Sequence, residues 1–246
     1  MRDDGRGLKF GTVAESYDRY RPGPPEEAAA LLGGVAGLEV LEVGAGTGKF
    51  TRLLIELGAH VSIVEPDDDM RRVLLRRSPD VSVLHGRAEE LPAAESSFDV
   101  VVSSSAWHWF IQPDATNEMA RVLGDDGALF VLWNGFSRDV PWMAELTKLR
   151  QRPDDANARP RGWNAPFDPD GPFVDVRDVS LDWAWTRTID DVVALFGTYS
   201  SAIIQSDENR QTMGREVRAR LMEQARNGAV ELPMTLRGST ARRRPR

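Results

Sequence analysis

The stretch from Leu38 to Glu65 reads L-E-V-L-E-V-G-A-G-T-G-K-F-T-R-L-L-I-E-L-G-A-H-V-S-I-V-E. A short apolar run, Val40 to Val43, stops at three glycines spaced two apart, Gly44, Gly46 and Gly48. Phe50, Leu53, Leu54 and Leu57 then fall on one helical face, and Gly58 ends the helix. A second run, Val61 to Val64, finishes on an acid, Glu65. Strand, glycine turn, helix, strand and acid, in that order, is the plan of a nucleoside-binding half-fold. Glycine lets the backbone approach a ligand where a side chain would fill the ligand's space. The carboxylate can accept hydrogen bonds from both hydroxyls of a ribose.

Two other nucleotide-binding patterns fail on these residues. The dinucleotide pattern G-x-G-x-x-G, begun at Gly44, needs glycine at position 49, which is Lys49. A P-loop, G-x-x-x-x-G-K-[ST], laid on Gly48-Lys49 would start at Val43 and end at Phe50. The spacing that fits is E-x-G-x-G-x-G, from Glu42 to Gly48. On these residues the chain resembles the class I S-adenosylmethionine-dependent methyltransferases. Within them it is most similar to the small-molecule branch of the ubiquinone-biosynthesis and trans-aconitate methyltransferases. The resemblance covers Phe10 to Trp133 well and the remainder weakly. It implies S-adenosylmethionine as cofactor, S-adenosylhomocysteine as product, and a Rossmann-like seven-stranded sheet, mostly parallel with an antiparallel last strand.

Composition narrows the partners. The chain of 246 residues suits one α/β unit with an elaborated lid, and it has no cysteine. Disulfides, thiolate metal sites and the cysteine-dependent cytosine-C5 methyl transfer are thereby excluded. The N-terminal residues M-R-D-D-G-R-G-L-K-F contain no apolar signal core, and no run reaches membrane-spanning length, so a cytoplasmic protein without membrane contact is expected. The net charge is −7, yet residues 237–246 hold five arginines and no acid. Residues 1–236 therefore carry 26 basic and 38 acidic side chains, a balance that repels phosphate backbones. A small-molecule acceptor is expected in place of nucleic acid, from a monomer or homodimer, and the basic tail 237–246 reads as disordered.

Along the chain, residues 1–37 read as an N-terminal helical lid, with helices at 12–20 and 26–32 around the R-P-G-P-P turn. Residues 38–135 read as the cofactor-binding core. Its strands lie at 40–43, 61–65, 81–85, 98–103 and 127–133, alternating with helices at 49–57, 68–77 and 113–123. Such alternation implies a doubly wound parallel sheet with helices on both faces. Residues 136–236 hold substrate-side helices, a strand at 176–188 and a last strand at 230–236. The Pro/Asp/Asn-rich loop 152–172 is expected to border the acceptor pocket.

The resemblance assigns roles residue by residue. Gly44, Gly46 and Gly48 would lie beneath the methionine part of the cofactor, with the amides that open the next helix facing its carboxylate. Glu42 would help hold the ammonium, Glu65 the ribose, and Pro66 the adenine face. In G-R-A-E-E-L-P, Gly86 to Pro92, Arg87 stands where relatives carry an adenine-binding aspartate, which leaves Ala88 backbone or Glu89 for that contact. The segment S-S-S-A-W-H-W-F, Ser103 to Phe110, would face the methyl group, making Ser104, Ser105, Trp107 and His108 candidates. If extended, Trp107 and Trp109 point opposite ways, one to the core and one to the pocket. In S-Y-D-R-Y-R-P, Ser16 to Pro22, Tyr17 would cover the cofactor, while Tyr20 and Arg21 would meet its carboxylate or an acidic substrate.

The sulfonium donor is already activated, so no metal is expected and His108 would act as a base only for an acceptor that must lose a proton. No [DNS]-P-P-[YFW] signature of base-amine methylation is present. Other readings are a cofactor-binding fold that catalyses a non-methylating step, a non-catalytic binding module, and a nicotinamide oxidoreductase.

Overall fold

A computed structural model of the chain describes residues 14–149, 167–199, 202 and 205–245. Seven strands form one sheet: β1 (Glu39–Val43), β2 (His60–Val64), β3 (Ser82–Leu84), β4 (Phe98–Ser104), β5 (Leu123–Phe136), β6 (Phe173–Thr188) and β7 (Ala229–Arg243). Their order is β3-β2-β1-β4-β5-β7-β6. The ladders from β3 to β5 are parallel, and β7 runs antiparallel to both of its neighbours.

Val40, Leu41 and Val43 of β1 are apolar because the strand is buried on both faces. Leu41 and Val43 join a cluster with Ala115 and Met119 of helix α5 (Asp114–Val122). Val40 points the other way, onto Phe50, Leu53 and Leu54 of α3 (Lys49–Glu56). Helix α4 (Asp68–Arg77) lays Leu74 against Ile63 of β2, on the same side as α3. A further cluster joins α6 (Pro141–Lys148), α7 (Ile189–Gly197) and α8 (Asp207–Met222) to Val230, Leu232 and Met234 of β7. Two short helices precede the sheet, α1 (Ala14–Tyr20) and α2 (Ala28–Leu31).

The expectation of a disordered basic tail is corrected here. Strand β7 continues through Arg243, pairing with β5 from Met234–Phe136 to Arg242–Ala128. Small residues let it fit, for a Cβ on Gly238 would stand 2.0 Å from the Val131 carbonyl oxygen. The arginines are held by acceptors at the strand's flanks. Arg237 pairs with Asp139 at 2.5 Å, and Arg242 donates to the Asp126 carbonyl at 2.9 Å. Arg243 is buried, donating to Ser96 Oγ at 3.1 Å, and Arg244 donates to the carbonyls of Pro169 and Gly171. Charge alone marked this segment as solvated, whereas carboxylates and carbonyls distant in sequence receive its guanidinium groups. Most of the 152–172 loop lies outside the described residues, although Phe167 packs against Trp107 and Phe173.

Candidate cofactor and methyl-transfer site

The order β2-β1-β4 places a topological switch at the end of β1, where neighbouring strands lead to helices on opposite faces and a crevice opens. The glycine turn fills that end. A Cβ on Gly44 would lie 2.4 Å from Ala106 Cβ, so the turn sits tightly on the segment after β4. Gly46, with φ of +57°, has nothing within 4 Å of its Cβ position and faces open space. Two of the three glycines thus have different jobs: one permits close approach and the other keeps room for a ligand.

Glu65, directly after β2, is tied to this turn. Its Oε2 accepts the Gly46 amide at 2.7 Å and its Oε1 accepts the Asp67 amide at 2.9 Å. Each oxygen keeps a second lone pair for a ligand hydroxyl. Burial raises the Glu65 pKa, while the two amides work in the opposite direction. Asp67 is occupied differently, capping α4 by accepting the amides of Asp69 and Met70. Pro66 between them is exposed.

Glu42 is 1% exposed and accepts the Thr51 hydroxyl at 2.5 Å. Burial and the neighbouring Glu65 raise its pKa, to about 8, against the Thr51 bond and the charge of Arg52. A carboxyl raised in the native state contributes stability that is complete below its unfolded value, near 4.5, and lost as pH rises towards 8. Between pH 5.5 and 7.5 the ligand-free protein should therefore lose up to about 1.4 kcal/mol per pH unit from this group. The Glu42→Gln variant should show a flatter profile in thermal unfolding at the two pH values. Parallel profiles for the two proteins would show that Glu42 stays ionised.

The loop after β3 is pinned from α5. Glu118 accepts the Leu91 amide at 2.7 Å, and Arg121 donates to the carbonyls of Leu91 and Ala93, each at 2.8 Å. Ala88 is buried in the core, and Glu89 accepts the Ile111 amide at 2.7 Å. Glu89 thus links the adenine-side loop to the segment following β4. Arg87 is mostly exposed and lies 3.6 Å from Glu89.

The residues after β4 form a single 3₁₀ turn, Trp107–Trp109, and not an extended segment. Trp107 still goes to the core, against Phe110 and Phe167, while Trp109 is 40% exposed with the exposed His108 ring 4.6 Å away. Ser104 is half-buried at the end of β4, and Ser105, with φ of +62°, turns the chain.

The lid residues divide. Tyr17 packs with Ala14 on Met70 and Val73 of α4. Tyr20 packs in the α6–α8 cluster. Arg21 is committed elsewhere: its Nε donates to Thr198 Oγ1 at 2.9 Å and its Nη2 to the Thr198 carbonyl at 3.1 Å. Its guanidinium also lies 3.7 Å over the Tyr199 ring. Sequence reasoning missed Asp18, which is buried at 8% exposure among Lys49, Arg52 and Arg77. It also missed Asn134, which donates to the Gly23 carbonyl and accepts from Trp183 Nε1. Neither shows a local spacing pattern, because every partner is distant in sequence.

A glycine turn at the β1–β4 switch is thus tied to an acid after β2, under a sheet of order 3-2-1-4-5-7-6. Residues 41–131 match the family described as Methyltransferase domain. Over 148 residues the chain is 40% identical to an uncharacterized methyltransferase of Mycobacterium tuberculosis, spanning 60% of this chain and 61% of the relative. The match thus spans about three fifths of that relative's length. A malonyl-[acyl-carrier protein] O-methyltransferase of Methylococcus capsulatus is 33% identical over 134 residues, half of this chain and 49% of the relative. A solved structure of a proposed type II methyltransferase from Anaeromyxobacter dehalogenans superposes with a TM-score of 0.65 at 21% identity. It covers 92% of this chain and all of the other, and shows the shared fold.

Proposed function

We propose that the chain transfers a methyl group from S-adenosylmethionine to a small-molecule acceptor. The observation that carries this reading is the Gly46–Glu65 tie, with open space over Gly46 and a spare lone pair on each Glu65 oxygen. These residues fit the cofactor: Glu65 would accept the ribose hydroxyls, and Gly46 would leave room beside them. Glu42 would face the ammonium, Pro66 and the Ala88–Glu89 backbone the adenine, and Tyr17 would cover the whole. When bound, the cofactor supplies a methyl group already activated by a positively charged sulfur. The chain's own work is to orient the acceptor at Ser104 and Trp109, keep water out with the lid, and accept a proton at His108 when the acceptor is a hydroxyl.

An oxygen acceptor is favoured by the relative named as an O-methyltransferase and by the exposed position of His108 beside Trp109. A carboxylate needs no base, so His108→Ala would then keep full turnover. With a phenol or alcohol the same variant should lose about a hundredfold.

Calorimetric titration tests the cofactor. Micromolar binding of S-adenosylmethionine and S-adenosylhomocysteine, with none of NADH, is expected; NADH binding would end the reading. A labelled-methyl screen of carboxylates and phenols then identifies the acceptor. Among the described residues no cluster of three or more His, Asp or Glu side chains gathers for a metal, and turnover should persist in a chelator. Loss of turnover there would count against transfer without metal.

A further inference from the structure

The lid helix brings an unbalanced set of charges to the start of α3. Asp18 lies 3.1 Å from Arg52, 3.3 Å from Arg77 and 3.9 Å from Lys49. One buried carboxylate therefore faces three cations. Arg52 and Arg77 take the shorter contacts, and the hydrogen bond from Lys49 Nζ goes to the Asp18 carbonyl at 2.5 Å, a neutral acceptor. Glu15, the other acid of this helix, pairs with Arg76 instead. The charge of Lys49 is thus the least compensated of the three.

Lys49 is also the first residue of α3, directly after Gly48. The helix opens there without a side-chain cap, and its leading amides lack intrahelical acceptors. Burial, with the charges of Arg52, Arg187 and Arg77, holds the Lys49 pKa down to about 8 against the pull of Asp18. A second anion at this place would relieve that strain. Arg21, which the sequence pattern offered for an anion, has turned its guanidinium to Thr198 and Tyr199.

We infer that Lys49, positioned by Asp18, is the cation that receives the carboxylate at the amino-acid end of the cofactor, in place of Arg21. This inference rests on the proposed cofactor. It makes Asp18 a positioning residue, whose main-chain carbonyl aims the ammonium while its side chain gathers the supporting arginines.

The discriminating ligands are S-adenosylmethionine and its decarboxylated form, which lacks only the carboxylate. Calorimetry on the wild-type chain should show a preference for the carboxylate-bearing ligand of about tenfold to a hundredfold. Lys49→Met should bring the two affinities together, and Lys49→Arg, which keeps the charge, should retain most of the preference. Arg21→Met should leave it intact, and Asp18→Asn should reduce it in part. Thermal unfolding of each variant separates loss of fold from loss of the contact. A full preference in folded Lys49→Met, or its disappearance in folded Arg21→Met, would overturn the assignment. Equal wild-type affinities would also overturn it while leaving the cofactor reading standing. Failure of both ligands to bind would remove that reading itself.

Discussion

Replacing Glu65 by alanine is expected to weaken S-adenosylmethionine binding about a hundredfold or more, with the fold retained. Two effects combine. The carboxylate would give each ribose hydroxyl a charge-assisted acceptor worth about 1.5–3 kcal/mol, and the loss of one such bond alone is about one to two decades of affinity. Its removal also unties the Gly46 and Asp67 amides, which the native side chain holds at 2.7 and 2.9 Å. Those amides are left needing acceptors, and the glycine turn loses its link to β2. Glu65→Gln is the sharper variant. Its amide nitrogen must meet either the Gly46 or the Asp67 N–H, donor against donor, so isosteric shape should rescue little. Calorimetry beside a melting curve tests this. Unchanged affinity in a well-folded variant would remove Glu65 from the site.

The second large effect lies far from any ligand. Gly238→Ala should destabilise the protein by about 3 kcal/mol, because overpacking that a neighbour cannot relieve costs about 1–3 kcal/mol or more. The obstructing atom is the backbone oxygen of Val131, 2.0 Å from the built Cβ, with the Leu132 Cα 2.9 Å away. Neither can rotate aside, so β5 and β7 would have to part in the interior of the sheet. A melting temperature lower by about 6–12 °C is expected for a chain of this size. Gly135→Ala is the control: it sits on the same pair of strands, yet nothing lies within 4 Å of its Cβ position. Equal melting temperatures for both variants would show that the close approach is not a constraint in solution.

The contrast between these positions marks what the sequence makes legible. The core half of the fold is written in local signals. The apolar runs of β1 and β2, the glycine triplet and the acid after β2 all lie within 28 consecutive residues, and the structure places them as a unit. Helix α4 begins where its acids indicated, at Asp68, with Asp67 as the cap. The lid was readable as a helix but not as a set of contacts. Asp18 sits between two tyrosines amid arginines and looks like a surface residue, while its cationic partners Lys49, Arg52 and Arg77 come from two other helices. The contact of Arg21 was hidden for the same reason, since Thr198 is 177 positions away. The end of β7 shows a different failure, for clustered arginines signal disorder only when no carbonyls await them. There the alternation of Ser239, Ala241 and Arg243 on the buried side was the fainter and better guide.

The position of β7 between β5 and β6 also dictates an order of assembly. Among the described residues β6 pairs with β7 alone, so residues 173–188 are synthesised before the partner strand that will hold them exists. Until residues 229–243 dock, the outer edge of β5 stays open, and closing it joins Ala128 to Arg242 across nearly half of the chain. Contacts of such sequence separation form slowly, and an unpaired interior strand can template association with other chains. The half of the sheet that carries the glycine turn is therefore synthesised well before the strand that seals its edge.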